Sequence, residues 1–239
     1  MIETTEGIVL HSLRYSDSTR IVKSFTRSAG LLAFLVSTGS GSKGDKGICS
    51  VFNLLEVSFV VRERAGLIRP MGLRRSIPLA HILSDPLRAS VALFLAEVLH
   101  KTLEEDYSNA QLFDFLKESI VLLDTARNPV NLHLGVLAKI ISFYGFAPGL
   151  PTDDRPVFDL VSGSFLGQRP GHPHFLEGDL GQRFVALFYS DADEIHEFPL
   201  NNQERVVLLT KLVDYLRIHV EHMKEIRSLQ VLQEVFGNP

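Results

Sequence analysis

Arg14, Arg20, Lys23, Arg27, Lys43, Lys46, Arg62, Arg64, Arg69, Arg74 and Arg75 run through the first eighty residues, interleaved with Tyr15, Phe25, Phe34, Phe52 and Phe59. Cations spaced along a surface can follow a run of phosphates, and aromatic faces between them can stack on unpaired bases. The bland alternative is that the phenylalanines fill a core and the arginines solvate its outside. For Phe59, on the apolar face of an alternating segment, the core reading is favoured. For the cations as a group, phosphate contact is favoured, because the first eighty residues carry eleven Lys/Arg against six Asp/Glu, a net of +5. The remainder carries 13 against 22, a net of −9, so the overall −4 hides a basic module joined to an acidic one. Such a basic module has the electrostatic footprint of a nucleic-acid binder.

Other residues capable of chemistry are less persuasive. Gly39-Ser-Gly-Ser-Lys-Gly44 spells GxGxxG, but a nucleotide loop needs a helix directly after it, and here a further glycine, Cys49 and a strand follow. The same loop could still grip a nucleic-acid backbone through Lys43 and Lys46. His172-Pro-His174, with Glu177 and Asp179 nearby, could be drawn as metal ligands of an enzyme, yet no HExxH-type spacing orients them, and surface histidines are the better reading. Macrodipole capping of a long helix accounts for His219 and His222. The single cysteine, Cys49, excludes an intrachain disulfide and a multi-cysteine zinc site, and reads as a small buried side chain.

The elements that must position these groups change character along the chain. Gly7–His11, Arg20–Thr26 and Leu31–Val36 read as short strands at hairpin spacing, followed by a polar, mobile Gly/Ser/Lys loop at 38–47. Leu55, Val57, Phe59 and Val61 alternate with polar or exposed positions, and a turn leads into Leu67–Arg74. Five strands in about 75 residues match an OB-fold barrel. Beyond residue 80 the pattern is helical. Ser84 is the expected N-cap of a helix over Leu87–Leu103, Asn109 caps a second, and Asn131 opens a third that Gly145 ends. Residues of about 149–178 break the pattern as a loop or small hairpin insertion, and helices follow near Leu180–Tyr189, Asn202–His222 and Lys224–Phe236. The expected class is α+β in two domains, 1–80 and 81–239.

At 239 residues, with 45% hydrophobic and 22% charged residues, the chain can bury real cores. It has no apolar run of about 18 residues, and its start lacks a secretory signal, so a cytoplasmic protein is expected.

Several segments together resemble the RecO family of bacterial recombination mediators. Gly7-Ile-Val-Leu10, Tyr15-Ser-Asp-Ser18 and Ile21–Gly30 resemble the opening strands of its OB-fold, and Ala92–Leu99, Gln111–Leu116 and Leu137–Phe146 resemble its helical domain. The pattern, including Ser228-Leu-Gln-Val-Leu232, is most similar to the family's Bacteroidetes branch. Some members carry a four-cysteine zinc module where Pro156–Phe165 stands here without cysteine, so a metal-free remnant hairpin and no zinc are expected.

The resemblance implies a non-enzymatic, nucleoid-associated protein that binds single- and double-stranded DNA and anneals strands. It also implies contact with the acidic tail of single-stranded DNA-binding protein, and work with RecR to load RecA. Lys139, Arg205, Lys211 and Arg217 are candidates for the tail contact, against the reading of ordinary solvated helix faces. Two other readings stand beside it: a protein adaptor without DNA binding, and a metal-dependent enzyme built on His172 and His174.

Overall fold

Strand β1 (Ile2–Arg14) is the centre of a five-stranded antiparallel sheet in the computed structural model. The structure describes residues 1–38, 47–60, 66–104, 107–150, 156–191, 194–195, 198–221 and 223–237. The other strands are β2 (Thr19–Thr26), β3 (Gly30–Ser37), β4 (Leu54–Val60) and β5 (Gly72–Arg75), in the order β3-β2-β1-β4-β5. The Gly39–Lys46 part of the polar loop and the Arg62–Arg64 turn lie outside the described residues.

Side chains alternate between the two faces of each strand, so the cross-strand register decides which residues share a core. Val22 faces Phe34, and Thr5, Gly7 face Val57, Leu55. Val9, Val22, Phe34, Val36, Leu55, Val57 and Phe59 form one buried cluster. An irregularity between Val9 and His11 adds one residue to β1, which moves Ser12 and Arg14 onto the face that Val9 occupies. Ile68, just before β5, exchanges backbone hydrogen bonds with β3, accepting from Leu35 at 2.8 Å and donating to Ala33 at 2.9 Å.

The opposite face of β1 and β2 is covered by helices. α1 (Pro86–Thr102) begins at Asp85, not Ser84: the Asp85 carboxylate accepts from the Leu87 and Arg88 amides, while Ser84 donates to the carbonyls of the preceding turn. Pro86 at the first helical position has no amide to leave unsatisfied. α2 (Ala110–Thr125) is capped as expected by Asn109, which accepts from Leu112 at 2.9 Å. Phe113 on α2 meets Phe25 on β2 with ring centroids 6.0 Å apart. Burial of each ring is worth roughly 1.5–3 kcal/mol over exposure. Near the end of α2, Asp124 is buried and accepts from the Ala80, His81 and Ile82 amides, tying down the segment between sheet and helices. Burial alone would raise the Asp124 pKa, but these amides hold it below the usual carboxylate value.

The change from strand to helix falls between Arg75 and Pro86, whereas packing divides the chain into compact units at 1–125 and 126–239. The second unit contains α3 (Leu132–Phe143), β6 (Val157–Asp159), β7 (Ser164–Leu166), β8 (Phe175–Glu177), α4 (Asp179–Tyr189), α5 (Asn202–His219) and α6 (Ser228–Gly237). The expected hairpin is present as β6 and β7, and β8 joins the other edge of β6 to make a three-stranded sheet. Phe158 on β6 is fully buried, its ring 5.2 Å from those of Phe165 and Phe184 and 6.4 Å from that of Tyr215. Gly163, in the β6–β7 turn with φ +64°, has no room for a side chain because a Cβ there would lie 2.8 Å from the Tyr215 hydroxyl.

α5 opens with a capping box in which Asn201 and Glu204 satisfy each other's backbone amides. His219 near its end does more than complement the helix dipole: Nε2 lies 2.9 Å from the Leu160 carbonyl, and the ring packs on Tyr215 and Phe146. His133 on α3 is fully buried and stacks on Phe236 at 4.7 Å. Burial, with Arg205 nearby, pushes its pKa down to about 3. The unfolded chain therefore takes up this proton first, so stability is complete above about pH 6.5 and is lost progressively as pH falls toward 3. His133→Phe keeps the stack and removes the titration. The expected result is a smaller drop in melting temperature between about pH 7.5 and about pH 5 than in the parent chain; an equal drop would place the sensitivity elsewhere.

Candidate nucleic-acid interface

The β1–β2 hairpin places Arg14 directly opposite Arg20. Like charges at opposed positions repel, and the two side chains diverge to relieve it. Arg14 turns to Asp17 in the hairpin loop, while Arg20 lies along its own face, with Nε 2.8 Å from the Ser12 hydroxyl and Nη2 3.3 Å from the Ser12 carbonyl. Tyr15, beside them, is 63% exposed. The hairpin tip thus gathers two cations and a free aromatic face. An anion between Arg14 and Arg20 would relieve their repulsion further, which is the chemistry of a phosphate site.

Lys23 lies on the other face of β2, opposite His11. His11 stacks on His100 of α1, with ring centroids 4.8 Å apart and planes 8° apart. Burial and the neighbouring Lys23 lower both imidazole pKa values, that of His100 to about 4. Arg69 is exposed after the Ile68 bridge. Among the described residues, Arg20, Lys23 and Arg69 form no ion pair with a carboxylate.

Three other cations are already matched. Arg27 makes two 2.8 Å hydrogen bonds to the Asp114 carboxylate on α2, Arg74 makes two to Glu56 on the adjacent strand, and Arg14 holds Asp17. The Arg27 hydrogen bonds hold Asp114 below the ordinary carboxylate pKa. Both partners are about half exposed, so water screens the pair and a phosphate can exchange for the carboxylate. Asp114→Asn is therefore expected to tighten single-stranded DNA binding by about two- to threefold and to steepen its salt dependence by about 0.7 in log–log slope. An unchanged slope would remove Arg27 from the interface.

Arg75 is half-buried on the inner face at the end of the sheet. Lys43, Lys46, Arg62 and Arg64 lie outside the described residues, as does His222. The aromatic residues divide unevenly: Phe25, Phe34, Phe52 and Phe59 are buried, the last as alternation predicts, which leaves Tyr15 as the aromatic of that group offered to solvent. Cys49 is also buried.

In the second unit, Lys139 and Arg217 are exposed on α3 and α5, and Lys211 Nζ donates to the Pro173 carbonyl at 3.2 Å. Arg205 is 5% exposed, with its nitrogens on Asn131, Asn202 and the Leu200 carbonyl, so its guanidinium faces the interior. His172 lies 3.5 Å from Asp159 and its ring 6.0 Å from that of His174. Among the described residues, no three His, Cys, Asp or Glu side chains gather in a way that could hold a metal ion.

Ser12 and Asp114, which fix Arg20 and Arg27, carry no sequence signal. Ser12 reaches its place through the β1 irregularity, and Asp114 meets a residue 87 positions away.

Comparison with known proteins bears on the whole length. Residues 1–69 match the family profile described as recombination protein O N terminal, and residues 83–229 match recombination protein O C terminal. The chain belongs to the RecO family. A RecO named DNA repair protein from Bacteroides fragilis is 32% identical over 99% of this chain and all of its own length. The RecO of Phocaeicola vulgatus is 33% identical with the same coverage, and that of Flavobacterium psychrophilum is 29% identical over 98% of both chains. RecO homology thus covers both the strand-rich and the helical part.

Proposed function

We propose that this RecO-family chain is a DNA repair and recombination mediator that binds single- and double-stranded DNA, anneals complementary strands and, with RecR, helps RecA replace single-stranded DNA-binding protein. The observation that carries the reading is the set of cations on and beside the sheet, Arg20 and Lys23 on β2 and Arg69 before β5, that no carboxylate neutralises among the described residues. Annealing needs screening of phosphate repulsion without base specificity, and a basic sheet supplies that with no catalytic step and no metal.

In this reading residues 1–80 form an OB-fold barrel that handles DNA. Support comes from the strand order and from the Ile68 bridge, which pairs the segment just before β5 with the β3 edge. Residues 81–239, with the small sheet near 149–178, form the helical part that meets RecR and the acidic tail. Lys139, Lys211 and Arg217 are the cations available to that tail, and Arg205 acts from within as the buried tie between α3 and α5. The protein works in the cytoplasm on the nucleoid; no helix among the described residues is long and apolar enough to cross a membrane.

A strand-annealing assay with complementary oligonucleotides, run with and without single-stranded DNA-binding protein and RecR, tests the reading. Acceleration of annealing on coated strands is expected. A protein that binds neither strand, yet still binds RecR, would favour the adaptor.

A further inference from the structure

Beside the hairpin, the first unit holds a cleft of about 420 Å³ whose lining includes Ser12, Arg20, Cys49, Ser50, Leu83 and Leu93. Pockets of roughly 300–1,000 Å³ take small ligands or single groups of larger ones. The cleft exists because Ala89 and Ala92 present only methyl groups on that side of α1. Its lining is mostly apolar, with Val51 and the buried Ile82 among its walls, while Leu83 and Leu93 at its rim are 59% and 51% exposed. One cation enters this apolar space. Ser12 holds Arg20 in place through Nε and Nη2, which leaves Nη1 without a partner among the described residues.

We infer that this cleft takes one unstacked base of a single strand, with the adjoining phosphate on Arg20. The inference rests on the DNA-binding reading above and goes beyond it by naming a base pocket. A nucleotide is a flat aromatic base, with weakly polar faces and a hydrogen-bonding edge, tied to one anion, which matches apolar walls, two hydroxyls and one cation. The base has two faces to lay against aliphatic walls, and the Ser12 and Ser50 hydroxyls can meet the edge of any base, so no sequence preference follows. Unstacking costs least in a strand that is already single, and a paired base has no way in. The cleft therefore makes a discrimination that phosphate contacts on the sheet cannot make: it favours single strands over duplex.

The full chain with a dT oligonucleotide of about 20 residues, and a duplex of the same length, tests this. Ala89→Met fills the cleft without changing charge, and Leu93→Ala removes one wall at an exposed position. Both are expected to weaken single-strand binding about tenfold while leaving duplex affinity and the salt slope unchanged. A single 2-aminopurine in the oligonucleotide is expected to brighten on binding to the parent chain and less so with Ala89→Met. If both variants bind single strands like the parent and the probe does not respond, the cleft is not a base pocket, and an apolar peptide becomes its better occupant; the DNA reading then still stands. If the parent chain binds no single strand at all, that reading fails first.

Discussion

Truncating Phe158 to Ala is expected to lower the unfolding free energy of the second unit by about 3–5 kcal/mol, the usual cost of deleting a buried phenyl ring. The expectation comes from position. Phe158 is the middle residue of β6, the central strand of the three-stranded sheet, and its ring touches residues from β7, α4 and α5. No neighbour can collapse into the space without leaving its own contacts, because Phe184 and Tyr215 are themselves in contact and fully buried. A fall in melting temperature on the order of 10 °C is expected in calorimetry. A shift of a degree or two would mean that the small sheet is an appendage. Phe158→Leu, which keeps most of the volume, is expected to recover a large part of the loss.

The second large effect concerns DNA. Reversing Arg20, Lys23 and Arg69 together to Glu is expected to weaken single-stranded DNA binding at least 100-fold at about 50 mM salt, since each change replaces a proposed phosphate contact with a repulsion. Arg27 is the residue that sequence position alone would group with Arg20 and Lys23, but in the structure it is held by Asp114 and contributes less until released. All three chosen side chains lack a carboxylate partner among the described residues and are at least partly exposed, so the melting temperature should move little. Retained binding with an unchanged fold would place the DNA site outside the described sheet.

What could be read from the chain and what could not differ for physical reasons. Alternation over Leu55–Phe59 and the Asn109 cap are local patterns, and both elements formed where the pattern places them. The β1 irregularity is invisible in sequence because one extra residue shifts facing without changing composition; it decides that Ser12, not Leu13, lies beside Arg20. Charge totals show that the front of the chain is basic. They cannot show which cations are spent on Asp17, Glu56 and Asp114, since pairing belongs to the tertiary structure.

Arg205 is the sharpest case. On a helix of mixed polarity an arginine reads as solvated, yet Asn131 at the start of α3, Asn202 on its own helix and the Leu200 carbonyl just before that helix supply acceptors that let it be buried. β8 leaves no signal along the sequence, because three residues after a proline- and glycine-rich run give too short a period to detect. The cleft beside Arg20 is likewise a property of packing, set by two alanines whose small size carries no signal along the sequence.

Arg20, Lys23 and Arg69, the cations on and beside the sheet without a carboxylate partner among the described residues, are expected to bind the phosphates of a single strand. The most direct test is the affinity of the full chain for an unstructured oligonucleotide between about 50 and about 200 mM salt. Engagement of roughly three to five phosphates predicts a log–log slope of about −2 to −3.5, a loss of roughly 20- to 100-fold over that range. A flat response, or no binding at the lowest salt, would contradict it.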